Sequence, residues 1–392
     1  MDNVTHALVG VLLARAATPA VGSARGALWA AVLASNIPDA DLLFNPFYAD
    51  ARLGYLVHHR GHTHTLLGMV PLALGVAAFA RWRDPAARPG PLVALSLVAG
   101  ALHIGADAWN SYGVHPFWPA WSGWLYGDFI FILEPWLWAA LLPLAVTTFP
   151  SCAVRAGMGL LALVMAGLVA FAVGLPAALL FSAVLAGHVL LQLRRDRWDL
   201  PAALVLVTLT TFASGSWRAE RSLRALLAEV RPDETLLDVS LTPRPGVPWC
   251  WSALVASRSG ATYRVRPVLH SQLPAVTAAD ECGLPRGEGH TAPLRPSDLV
   301  SDPSWAWGAH FEAPVDALSE LARQECRVDA FLRFARMPYW MPSGDGWVVG
   351  DLRFDFESDL GFAELAISPG DTRGCTNLPP WESAAAAAFR EE

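Results

Sequence analysis

The chain has 392 residues, 54% of them hydrophobic and 16% charged, with a formal net charge of -7; a soluble domain carries about 25% charge. That composition excludes a disordered chain and argues against a nucleic-acid partner, which calls for basic patches. All 28 basic residues are Arg, with no Lys.

The charges divide the chain. Residues 1–217 hold 11 Arg against 10 Asp or Glu, and residues 218–392 hold 17 against 25. Ala156–Leu193 and Leu200–Trp217 are free of formal charge; the first run is long enough for two membrane helices broken at Gly174-Leu175-Pro176. The expected fold is mostly α, a polytopic helical membrane domain over 1–217 followed by a smaller α+β soluble domain over 218–392. Apolar segments predict helices at about 5–22, 26–37, 64–81, 92–108, 129–149, 154–174, 177–193 and 200–217. Met1-Asp2-Asn3 is not basic and Arg15 interrupts the first apolar stretch, so this segment reads as retained rather than as a cleaved signal.

Arg81, Arg83 and Arg88 lie in one connection, Arg194, Arg195 and Arg197 in another, and Arg155 in a third; Arg15 and Arg25 flank a fourth. The positive-inside rule makes these four cytoplasmic. With alternating spans in a bacterial inner membrane, residues 218–392 are then expected on the outer, periplasmic side. Of the five cysteines, Cys250, Cys282, Cys326 and Cys375 fall in that tail, where they allow two disulfides in three pairings, or free buried thiols. Strands are expected at Leu236–Leu241, Trp251–Ser257 and Ala261–Leu269, with a helical pattern at Ala317–Met337 and alternation again at Gly346–Phe356. Ala384–Ala388 reads as a frayed, low-complexity end.

Seven of the 11 histidines fall within the first 115 residues. His6 opens the first helix, and Asp39 and Asp41 close the second in Ile37-Pro38-Asp39-Ala40-Asp41. His58, His59, Arg60, His62 and His64 lead into the third, His103 and Asp107 close the fourth, and Asp128 and Glu134 open the fifth. Alternating spans bring all of these to one side of the membrane. His103 and Asp107, four apart, share a helix face. Alone, His103 would read as a packing histidine and Asp39 as a helix cap. Together the residues make a candidate metal site, because ionisable groups within apolar helices are costly without partners. Imidazole and carboxylate ligands suit a divalent ion such as zinc, with manganese as an alternative. His188 is alone in an apolar span and reads as packing, and the Trp- and Tyr-rich loop after Asp107 reads as an interfacial anchor roofing the site.

The motifs Met1-Asp2-Asn3-Val4-Thr5-His6, Pro38-Asp39-Ala40-Asp41, His59-Arg60-Gly61-His62-Thr63-His64 and His103-x-x-x-Asp107 resemble the membrane-bound, metal-dependent hydrolases of the YdjM type. Asn110-Ser111-Tyr112-Gly113 and Tyr126-Gly127-Asp128 look like that family too. The resemblance implies a divalent-metal hydrolase in which His6, Asp39, Asp41, His59, His64, His103 and Asp107 recur, with His58 and His62 as second choices. The residue order is more distantly similar to zinc-dependent phospholipase C and related nucleases. On this reading His6, Asp39, Asp41, His64, His103 and Asp107 hold metal, Asp41 bridging ions or orienting a ligand. His59 either supports the ligands from behind or acts as a general acid, and Arg60 pairs with an anionic group such as a phosphate. The expected partners are the lipid bilayer and a phosphoester or lipid-like substrate. A transporter using the same cluster, or a metal-stabilised scaffold, is the alternative.

Overall fold

In a computed structural model, which describes residues 1–284, 289–383, 385 and 389, the expected order of helices followed by antiparallel sheets is found. Apart from Ala385, the low-complexity end lies outside the described residues. Helix α1 (Asn3–Val21) begins where the Asp2 carboxylate accepts from Thr5 N, and it ends at Gly22 in the left-handed region, φ 77°. It runs against α2 (Ala24–Ala34) through Gly10, where a Cβ would come within 2.8 Å of Val32 Cα. α2 stops three residues short of the expected end. A 3-10 stretch, Ile37–Phe47, then turns away by 43°, with Pro38 in its first turn, and carries Asp39 and Asp41 out of the helix.

The short α3 (Ala51–His58) has no counterpart among the expected helices. α4 (Leu66–Arg83) and α5 (Pro89–Ala108) follow. The helix expected from 129 starts later, as α6 (Pro135–Thr148), because Glu134 caps it by accepting from Trp136 N and Pro135 suits the first helical position. α7 (Cys152–Ala172), α8 (Leu175–Arg195) and α9 (Asp199–Val230) complete the helical region, and α9 continues through residue 217 unbroken. Among the described residues, α1, α4, α5, α7, α8 and α9 are long and apolar enough to cross a membrane. Their outward faces are apolar: Leu160, Leu163 and Phe171 of α7, Leu179 and Leu190 of α8, and Leu206 and Val207 of α9 are all exposed. Such a belt fits lipid rather than water. Arg15 pairs with Asp196 at 2.8 Å, which ties α1 to the connection between α8 and α9.

In the tail, β1 (Thr235–Arg244), β2 (Val247–Ser259), β3 (Thr262–Ser271) and β4 (Trp305–Trp307) lie side by side, antiparallel, and β5 (Phe311–Pro314) also pairs with β3. Helices α10 (Val315–Gln324) and α11 (Cys326–Leu332) lead to a second antiparallel sheet of β6 (Pro338–Ser343), β7 (Gly346–Asp351) and β8 (Glu364–Ile367). The thiols pair as Cys250–Cys282 and Cys326–Cys375, which selects one of the three pairings, while Cys152 is free and exposed.

The tail does not stand apart from the helices. Leu53, Leu56 and Val57 of α3, with Trp124, share one buried cluster with Phe331, Phe334, Tyr339 and Trp381. Phe212, Ala219 and Leu223 of α9 share another with Trp251 and Val255 of β2 and with Met1, Ala106 and Ile130. Trp381 Nε1 donates to Val57 O at 2.9 Å, and Arg353 Nη1 to Ser111 O at 2.5 Å. The tail therefore covers the same end of the helices to which Asp39, His64 and Asp107 are brought.

Candidate metal centre

Four elements meet under this cover. The segment between α3 and α4 makes a tight turn. Arg60 adopts φ 58°, an uncommon left-handed conformation for a residue with a side chain, and its backbone N donates to Asp41 Oδ2 at 3.0 Å. Gly61 follows because a Cβ there would lie 2.6 Å from His58 O. The 3-10 turn His62–His64 then points His64 inward, and Thr65 caps α4 by accepting from Gly68 N at 2.8 Å.

The centre of the cluster is a pair of opposed imidazoles. His103 Nδ1 donates to Ser35 O at 2.8 Å, so in the neutral ring Nε2 carries the lone pair. That Nε2 lies 3.1 Å from His64 Nε2. The other nitrogen of His64, Nδ1, lies 3.0 Å from Thr63 Oγ1 and 3.6 Å from Asp41 Oδ2. Asp107 Oδ2 stands 3.3 Å from both Nε2 atoms, and Asp39 Oδ1 stands 3.3 Å from His64 and 3.7 Å from His103. Asp107 Oδ2 is buried yet accepts no hydrogen bond. Lone pairs and carboxylate oxygens at such spacings repel one another unless a positive charge lies among them. Burial alone would lower the pKa of His64, but the facing carboxylates of Asp107 and Asp39 outweigh it and hold the imidazole above its ordinary value.

The donor set fits a divalent ion. Asp39, His64, His103 and Asp107 each offer a ligand atom, all within 4.8 Å of one another, and Asp39, Asp41 and His59 form a second such group. Separations of 3.1–3.7 Å between donors suit a coordination shell with bonds of about 2.0–2.2 Å. The support around the ligands is of the kind that orients metal-binding imidazoles: Ser35 O behind His103, Thr63 and Asp41 behind His64.

Each residue singled out in the sequence can now be placed. The carboxylate common to both groups is Asp39, rather than Asp41. Asp41 Oδ1 lies 3.1 Å from His59 Nδ1, and its Oδ2 accepts from Thr63 Oγ1 at 3.1 Å. His6 Nε2 is 3.2 Å from Asp107 Oδ1, and its ring stacks on His103 with centroids 3.9 Å apart; it belongs to neither group of four or three. Arg60 is buried, with Nη2 2.9 Å from Asp107 Oδ1 and Nη1 donating to Asp107 O and to Asn110 Oδ1, each at 3.3 Å. His58 stacks on Tyr48, and His62 packs against Trp118 and Trp381, so neither joins the cluster.

The residues not picked out individually are supporting ones. Asn3 Nδ2 donates to Asp39 Oδ2 at 2.9 Å, Asn110 Oδ1 accepts from Arg60, and the Met1 amino group contacts Asp107 Oδ1. Asn3 and Asn110 do lie within the quoted motifs, and their short polar side chains beside charged residues were the available signal.

The chain is 28% identical over 143 residues to an uncharacterized protein, YfhP, of Bacillus subtilis (strain 168), a match covering 35% of this chain and 43% of that protein. The chain thus spans less than half the length of the curated relative it matches. No solved structure matches the chain, and the likeness to zinc-dependent phospholipase C rests on residue order alone. Residues 1–178 of this membrane protein, which contain every member of the cluster, match the family described as YdjM inner membrane protein.

Proposed function

We propose that the chain is a membrane-bound, divalent-metal-dependent hydrolase that cleaves a phosphoester of an amphiphilic substrate. The observation that carries this reading is the buried Asp107 Oδ2, without a hydrogen bond, facing two Nε2 atoms 3.1 Å apart. Asp39, His64, His103 and Asp107 would hold one ion, and Asp39, Asp41 and His59 offer a neighbouring position. A divalent ion bound there supplies a Lewis acid for the phosphoryl oxygen and water of lowered pKa. Zinc is the first candidate and manganese the second, on ligand type.

The chain's own groups then divide the work. Where His59 does not ligate, Asp41 holds its Nδ1 and leaves Nε2 to carry a proton to the leaving oxygen. Arg60 clamps Asp107 and Asn110; its guanidinium is engaged by these groups, so we assign it first to positioning and only second to pairing with phosphate. Under the tail roof His64, His103 and Asp107 are buried, while Asp39, Asp41 and His59 stay partly exposed on the side from which water and substrate would enter. Two disulfides in the tail, together with the Arg-rich connections at the opposite ends of the helices, support a site and a tail on the outer side of the membrane.

The test is metal content and phosphodiester hydrolysis by the full chain, wild type beside Asp107→Asn. Stoichiometric zinc or manganese and turnover of bis(p-nitrophenyl) phosphate, both lost in a folded variant, are expected. A folded wild type that takes up no divalent metal on reconstitution overturns the reading.

A further inference from the structure

Beside the metal centre, between the helical region and the tail, lies a cavity of about 480 Å³, within the range of about 300–1,000 Å³ usual for small-molecule sites. One wall is Asn110 and Tyr112; the others include Ile130, Phe131, Phe354 and Phe356. Asn110 Nδ2 and Tyr112 Oη are buried without a hydrogen-bond partner and are closed to water, so they lie behind the wall rather than in the open cavity. Arg353, whose guanidinium is held by Asp351 and Ser111 O, lines the same cavity and gives it a positive charge, the chemistry that an anionic head group matches. The remaining walls are largely apolar, and Ile132, which also lines the cavity, is 43% exposed three residues before α6 begins. The mouth is therefore at the level where the apolar helices start.

Asn110 joins this cavity to the cluster. Its Oδ1 accepts from Arg60 Nη1, whose Nη2 holds Asp107, so one side chain touches both the clamp on the ligands and the cavity wall. We propose that this cavity is the substrate's apolar subsite. It takes the alkyl or acyl chain of a single-chain phosphate lipid entering from the bilayer past Ile132, with the anionic head towards Arg353 and Asn110, which line the same cavity. The inference rests on the hydrolase reading for the fate of the head, but binding itself requires no turnover.

The test uses the full chain in phosphatidylcholine nanodiscs containing hexadecyl phosphate with a mid-chain diazirine. After illumination, adducts are mapped by mass spectrometry and metal content is measured on the same samples. Adducts on residues 130–132 and 354–356 are expected, reduced at least tenfold by excess hexadecyl phosphate and unchanged by ethyl phosphate. Thr242→Trp, which adds bulk at a lining position outside the metal cluster, should reduce them tenfold with metal content unchanged; Ile132→Trp at the mouth serves the same purpose if the first variant does not fold. Adducts confined to lipid-facing side chains such as Leu160, Leu163 and Phe171 overturn the proposal, as does labelling that neither folded variant diminishes. Labelling by water-delivered octyl phosphate diazirine alone overturns the bilayer as the source. Labelled cavity without metal removes the hydrolase reading and keeps the subsite; metal and turnover without labelling do the reverse.

Discussion

His103 on α5 and His188 on α8 are both buried in apolar helices, and each donates Nδ1–H to a backbone carbonyl, Ser35 O at 2.8 Å and Ala139 O at 2.9 Å. They differ in what the other nitrogen faces. His103 Nε2 looks onto His64, Asp107 and Asp39, whereas His188 Nε2 is buried with no hydrogen-bond partner. The same side chain, held by the same kind of bond, is a candidate ligand on one side of the molecule and a packing residue on the other. The lesson is that convergence of several chain segments, rather than the presence of an ionisable residue in a span, marks the site. The side bearing α1 to α5 has that convergence under the tail, and the side formed by α7 and α8 faces outward with apolar residues.

The largest expected effect separates the two histidines. His103→Ala should reduce bound divalent metal at least tenfold, measured by elemental analysis of folded protein, whereas His188→Leu should leave it unchanged. Equal loss from both would break the comparison. Next comes the cover: Trp381, 1% exposed, is expected to cost about 3–5 kcal/mol on truncation to Ala, read from denaturant unfolding. Leu163→Ala, exposed on α7, should cost almost nothing by the same measurement. Breaking Cys326–Cys375, which closes 49 residues, by double substitution to Ser should cost about 3–4 kcal/mol, while Cys152→Ser leaves stability as it was.

The smallest effect is in the tail and depends on pH. The hydrogen-bonded Arg266 guanidinium holds the Asp298 carboxyl well below its usual range. A depressed carboxylate contributes stability above its unfolded pKa of about 4 and loses it as the pH falls through the folded value. Asp298→Asn should therefore cost about 1 kcal/mol at neutral pH, discounted for its partial exposure. The gap to wild type should begin to narrow below about pH 4 in thermal unfolding and go on narrowing as the pH falls towards the depressed folded value.

Much of this was readable from residues. Long uncharged runs and spaced Arg clusters gave the apolar helices, and alternation with Pro- and Gly-bearing turns gave β1 to β3 within a few residues. The i, i+4 pair His103 and Asp107 and the dense histidine motif pointed to several of the residues that the fold brings together, though not to the place of His6 outside both groups. Less legible was α3, whose eight residues are too few for a clear period and are stabilised by packing of Leu53, Leu56 and Val57 under the tail. Also hidden were the shared role of Asp39, the positioning of Arg60 by Asp107, and the pairing of the cysteines, each of which depends on where distant backbone segments come to lie.

By itself the sequence determined which residues are costly to place in an apolar environment, and therefore that they must find one another. Tertiary structure alone decided how they do so. It set two imidazole nitrogens 3.1 Å apart, made Asp39 the carboxylate common to two groups, and laid the tail over them with a cavity alongside. The physical reason is that charge, hydropathy and helical period are local properties of the chain. Donor spacing at a site and the shape of a cavity are set by contacts between residues more than 30, and in places more than 200, positions apart.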